Sequence, residues 1–257
     1  MNGEVAQIRD IAIYAKHALK TKSKISYKPD KYENKIEFLF TENFEAKDVS
    51  EWYEHCIEKG LEDIKLSMPI AVKDPSLLAF SNTSQAGLVC YFKDNLVTYF
   101  IPKWEVKDKR WNVTYKEYRW ENPPKEKVQF EDNTEDFKNT LSKIATLADK
   151  IDFQNFGNIF RKPISILNGE EIENIQKTFY GIYFSELPKI NKFLFYASDI
   201  SDVFGGMGSW NDSPPYYAHE KGLESEYDSL TEELLTQIRL ALLLNNATFN
   251  ISASLAY

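Results

Sequence analysis

The 257 residues are 43% hydrophobic and 14% aromatic with only ten glycines and ten prolines, which excludes a disordered or fibrous chain and leaves room for one large core or two ordinary ones. The net charge is −8, and nine acids against Lys221 alone between Asp199 and Glu233 account for all of it, so the remainder sums to zero. A nucleic-acid-binding surface needs lysine and arginine gathered somewhere, and the gathered sign here is negative.

Charges interrupt every apolar run in MNGEVAQIRDIAIYAKHALK, so neither a signal-peptide core nor a membrane span is read there, and a cytoplasmic location without membrane contact is expected. Val5, Ile8, Ala12, Ala15 and Leu19 recur at helical spacing and predict a helix over 3–21. KIEFLF at 35–40 reads as a strand. Val49, Trp52, Tyr53, Cys56 and Ile57 form a second helical stripe, with a capping pattern at Asp48 to Glu51 and a stop at Gly60. Cys56 and Cys90 both lie in apolar patterns and read as small core residues rather than a redox pair.

From about Leu77 the character turns to β. AGLVCYF (86–92) and LVTYFI (96–101) flank a short turn and predict central strands. RWNVTYKEYRW (110–120) sets Trp111, Val113 and Tyr115 on one face and then shifts phase to Tyr118 and Trp120, which predicts a bulge near Lys116 or Glu117. The aromatic and basic residues of 103–120 could stack nucleic-acid bases, but Glu105, Asp108, Glu117 and Glu121 dilute the positive field, and packing explains them better. ENPPKEK marks the boundary, because consecutive prolines cannot donate to a sheet. The expected organisation is α+β: an N-terminal helix plus antiparallel meander over 1–130, then a helical portion over 131–257 carrying a glycine- and tryptophan-containing loop at 204–222.

Beyond Asn133, Phe137, Leu141, Ile144, Ala148 and Ile151 form one helical stripe, and Phe153, Phe156, Phe160, Ile164 and Leu167 another that Asn168-Gly169 ends and Pro163 should kink or split. A third helix follows Pro188, and a fourth covers about 225–246. The three histidines stand in no metal-binding pattern, Gly205-Gly206-Met207-Gly208 lacks a phosphate-binding lysine, and Ser209 has no flanking nucleophile-elbow glycines. No catalytic residue, metal or cofactor is nominated.

FGGMGSWNDSPPYY (204–217) is the distinctive stretch. Gly205, Gly206 and Gly208 suit backbone geometry, with Gly205-Gly206 placed where a helix wants a left-handed cap. Trp210 is either a buried wedge or an exposed contact residue. The run DVFGGMGSWND, followed by the acidic helix SEYDSLTEELLTQI, resembles a group of small bacterial cytosolic proteins over roughly 137–246. That resemblance carries no assigned activity; acidic proteins of this general sort include immunity partners of toxins, which implies a protein-binding role.

The expected function is therefore a non-enzymatic, immunity-like antagonist that docks a basic protein through 199–233. Trp210 would be the anchor, Asn211 and Asp212 hydrogen-bonding partners, and Asp199, Asp202, Glu220 and Glu224 steering charges. The alternative is an enzyme or small-ligand protein with its pocket under 204–217.

Overall fold

The computed structural model describes residues 3–72, 74–123, 130–170 and 189–248. The fold is α+β, with six strands in the N-terminal half and helices in the C-terminal half. The chain forms two compact units, one built from the described parts of Glu4–Met68 and Ser84–Val128, the other from those of Pro69–Thr83 and Gln129–Asn245.

In the first unit, helices α1 (Gly3–Thr21) and α2 (Val49–Glu58) accompany strands β1 (Glu33–Leu39), β2 (Glu45–Ala46), β3 (Leu61–Ser67), β4 (Gly87–Phe92), β5 (Val97–Lys107) and β6 (Arg110–Arg119). The sheet order is β2-β1-β6-β5-β4-β3. β3 to β6 form an antiparallel meander, but β1 lies parallel to β6, so the sheet is mixed rather than antiparallel throughout. Asp48 caps α2 by accepting from the amides of Ser50 and Glu51, and Gly60 turns the chain at φ 83°. Alternate residues of each strand point to opposite faces of the sheet, and one face packs on α2. On that face Phe38 stacks between Trp52 of α2 (centroids 4.8 Å apart) and Tyr115 of β6 (4.6 Å), and the Tyr115 hydroxyl donates to Gln7 of α1 at 2.7 Å.

The bulge expected in β6 is absent, since its pairing with β5 runs in unbroken register from Arg110 to Arg119. The apparent phase slip has another cause. Val113, Tyr115 and Glu117 take successive inward positions, and Glu117 is a buried carboxylate where the pattern leads one to expect an apolar residue. Its Oε2 accepts from the Thr41 amide (3.0 Å) and hydroxyl (3.1 Å), which offsets the burial. β3 escaped the sequence reading for the same kind of reason: LEDIKLS carries two ionisable side chains, Asp63 and Lys65, that are buried.

The second unit contains α3 (Thr134–Lys150), α4 (Gln154–Leu167), α5 (Lys189–Ser201), α6 (Pro214–Glu220) and, as far as Asn245, α7 (Glu224–Thr248), with a 3-10 turn at Pro75–Ala79. Phe137, Leu141, Ile144, Phe160, Leu194, Leu234 and Ile238 fill its core. Gly157 lets α4 approach α3, because a Cβ there would stand 2.6 Å from Asp149 Oδ1 and 3.3 Å from the Ala145 carbonyl. Pro163 does not split α4, which runs on to Leu167; the proline is buried within it, and its missing N–H costs one helical hydrogen bond. Asn168 and Gly169 (φ 87°) end that helix as their types suggest.

Candidate functional site

The segment 202–223 is more ordered than a loop of its composition implies. α5 already ends at Ser201, so Gly205 and Gly206 do not cap it; the Asp202 amide closes that end on the Ser198 carbonyl at 3.0 Å. Of the three glycines, Gly208 takes the left-handed conformation, at φ 82°. Asn211 closes the loop, accepting from the Gly205 amide (2.9 Å) and the Ser209 hydroxyl (2.8 Å) while donating to the Gly205 carbonyl (3.0 Å). Asp212 holds the Gly208 amide at 2.8 Å and remains exposed. Then Pro214, with φ preset for a first helical turn, starts α6 inside what the sequence suggested was continuous loop.

Trp210 fastens this segment to the unit and is fully buried. Its ring sits edge-on to Phe156 (5.3 Å) and Phe160 (5.1 Å) of α4 and stacks on Tyr227 of α7 (5.2 Å). The indole N–H donates to Thr231 Oγ1 at 2.9 Å, and the Tyr227 hydroxyl donates to the Trp210 carbonyl at 2.7 Å. A side chain with no accessible surface touches no partner in this conformation. The expectation that Trp210 anchors a partner is therefore corrected: it is the wedge.

Asp202 is corrected likewise, being buried beside the buried Arg239 instead of steering from the surface. Burial lowers the proton affinity of Arg239, and the Asp202 carboxylate opposes that shift. Arg239 also donates to the Pro69 carbonyl. Asp199 is half-buried on α5, whereas Glu220 and Glu224 are exposed. Glu224 accepts from His219 at 3.1 Å and raises the proton affinity of that imidazole. Bases outside the acidic run meet two further acids: Lys150 pairs with Glu226 at 2.9 Å, and Lys143 reaches Glu233 at 4.0 Å.

What remains is a cleft of about 340 Å³ beneath the loop. Asn211 and Pro215 form one wall, Tyr227 and Thr231 of α7 line the floor, and Asp74, Asp228 and Glu232 contribute three carboxylates. Among the described residues none of these three meets a lysine or arginine within ion-pair distance; Asp74 accepts from the amide and hydroxyl of Ser76. On the same loop and helix, Met207 is 98% exposed and Tyr216 62% exposed. Asn211 alone of the expected site residues lines the cleft. The exposed Met207 and Tyr216 and the cleft carboxylates Asp74, Asp228 and Glu232 were not among the site residues singled out from the sequence; the tip position of Met207 between two glycines was the available signal.

Among the described residues no group of histidine, cysteine, aspartate and glutamate side chains stands where it could hold a metal ion, and no helix is long and apolar enough to cross a membrane. Comparison with family models, curated proteins and solved structures finds no match to this chain.

Proposed function

We propose that the chain is a non-enzymatic, cytosolic protein-binding module whose partner is basic, and that the cleft beneath 204–217 receives a lysine or arginine side chain of that partner. The observation that carries this reading is the nearness of solvent-held Met207 and Tyr216 to a cleft whose Asp228 and Glu232 meet no lysine or arginine among the described residues. Apolar side chains held in water by an ordered loop gain free energy when a partner covers them, and neighbouring unpaired carboxylates raise the encounter rate with a basic surface. Antagonism of a basic toxin is the specific form of this role that the bacterial resemblance suggests. Asp212 and Glu220 lie on the same segment and add to the field.

The test uses a hexa-arginine peptide titrated into the whole protein at low and high salt. The proposal expects saturable binding that weakens with salt, is lost in the Asp74→Asn/Asp228→Asn/Glu232→Gln variant, and persists when three acids elsewhere (Glu54, Glu58 and Glu62) are neutralised. Equal loss in both triple variants would reduce the effect to net charge and overturn the reading.

A further inference from the structure

A second concavity, of about 580 Å³, lies in the sheet unit on the face opposite α2. Gly87 and Val89 of β4 and Tyr99 and Ile101 of β5 form its floor, and Trp120, just past the end of β6, forms a wall. The strand pleat gathers these residues. The floor positions alternate with Leu88, Cys90, Thr98 and Phe100, and Phe100 meets Trp52 of α2 on the other side of the sheet, with ring centroids 6.0 Å apart. No side chain can fill the floor at Gly87, because a Cβ there would stand 2.7 Å from the Phe100 carbonyl oxygen and 2.8 Å from Ile101 Cδ1.

Two rings of the hollow stand at a right angle. Tyr99 stacks on Tyr118, its cross-strand partner, with centroids 5.4 Å apart, and the plane of Trp120 lies at 85° to Tyr99 with centroids 6.3 Å apart. A cation about 4.5 Å from each of two perpendicular ring faces needs centroids about 6.4 Å apart, so the spacing suits a positive group held between both quadrupoles. The same aromatic stack already holds one cation, the Lys116 ammonium, over Tyr118 at 5.6 Å from its centroid.

The charge at the rim has the matching sign. Arg119 pairs with Thr98, so its side chain belongs to the α2 side of the sheet, and the charged side chain left at the hollow is the acid Glu121. Among the described residues Glu121 meets no lysine or arginine within ion-pair distance. A bare ammonium would lose its hydration against Val89 and Ile101 with too few acceptors to replace it. Methyl groups on the nitrogen bury well there and leave the charge to the rings and to Glu121.

We propose that this hollow binds a trimethylammonium group, with its methyls on Val89 and Ile101, its charge between Tyr99 and Trp120, and Glu121 as the counter-charge. It shares no residue with the cleft of the helical unit.

The probes are choline, its uncharged carbon isostere 3,3-dimethyl-1-butanol, unmethylated ethanolamine and a short trimethyllysine peptide, each titrated into the whole protein and followed by amide and indole chemical shifts. Choline is expected to bind at least about fivefold more tightly than the isostere or ethanolamine, with saturating shifts at Val89, Tyr99, Ile101 and Trp120. The peptide moves the same residues, and the tighter of choline and peptide tells whether the group arrives on a free molecule or on a polypeptide. Trp120→Leu keeps apolar bulk but removes the ring; it weakens choline by about tenfold and leaves the isostere within about twofold. Glu121→Gln weakens choline by about threefold, whereas Arg119→Gln does not weaken it. Should Trp120→Leu misfold, the wild-type titrations still decide. No saturable shift at these residues up to tens of millimolar choline, or an isostere that binds as tightly as choline, overturns the proposal.

Discussion

Trp210 and Tyr227 hold each other: their rings stack at 5.2 Å, and the tyrosine hydroxyl donates to the tryptophan's own carbonyl at 2.7 Å. One contact is made by the side chain and the other by the backbone, so the loop is fixed in position as well as in packing. Burial raises the proton affinity of the Tyr227 hydroxyl, which stays a donor across the neutral range.

Removing that wedge should unfold the unit before it affects recognition. Trp210→Ala is expected to cost about 3–5 kcal/mol in urea unfolding, from the cavity between α4 and α7. Trp210→Phe keeps most of the packing but loses the bond to Thr231, and is expected to cost about 1–3 kcal/mol.

Met207 and Tyr216 should show the opposite profile. Alanine at either position is expected to change stability by less than about 0.5 kcal/mol, because the side chains are exposed. Affinity for the basic partner should fall by about tenfold. Unfolding curves and binding isotherms on the same preparations check both halves.

How far the sequence led is clearest at residues such as these. Helical periodicity located α1, α3, α4 and α7, and Asp48 marked the start of α2, because those elements bury one regular apolar stripe. Charge was where the reading failed. Glu117, Asp63, Lys65 and Asp202 are all buried, and a buried ionisable residue looks like a surface residue until its partner is known. For the site, the loop was visible from its glycines and prolines, but its sequence left Trp210 open to both readings, contact and wedge. Phe156, Phe160 and Tyr227, which decide the matter, lie 17 to 54 residues away in the chain. Asp74, more distant still, gave no signal that it shares a cleft with Asp228.

The buried pair Lys16–Asp63, 3.0 Å apart between α1 and β3, makes a sharp stability test. Lys16→Met leaves Asp63, which also accepts from the Ile64 amide, buried without the lysine. That change is expected to cost about 3–5 kcal/mol. Adding Asp63→Leu should recover most of the loss, as a double-mutant cycle in denaturant will show.

Acid should act on the Glu42 cluster. Partial burial works against its charged form, but hydrogen bonds from Lys59 (2.7 Å) and His55 (2.9 Å) outweigh it and bring the carboxyl down to about 2. A carboxyl with a depressed folded-state value adds stability above its unfolded value of 4.5, and that stability is lost as pH falls from there toward 2. Glu42→Gln should flatten this limb of the stability profile between those limits, and carboxyl carbon shifts should place the Glu42 midpoint near the lower one.

The most direct measurement of the central claim is where a basic ligand lands. In a chemical-shift map of the hexa-arginine peptide on the whole protein, the amides of Met207, Asn211, Tyr216, Asp228, Thr231 and Glu232 are expected to move together and saturate with one midpoint. Shifts scattered over acidic residues of both units, with those six unmoved, would contradict it.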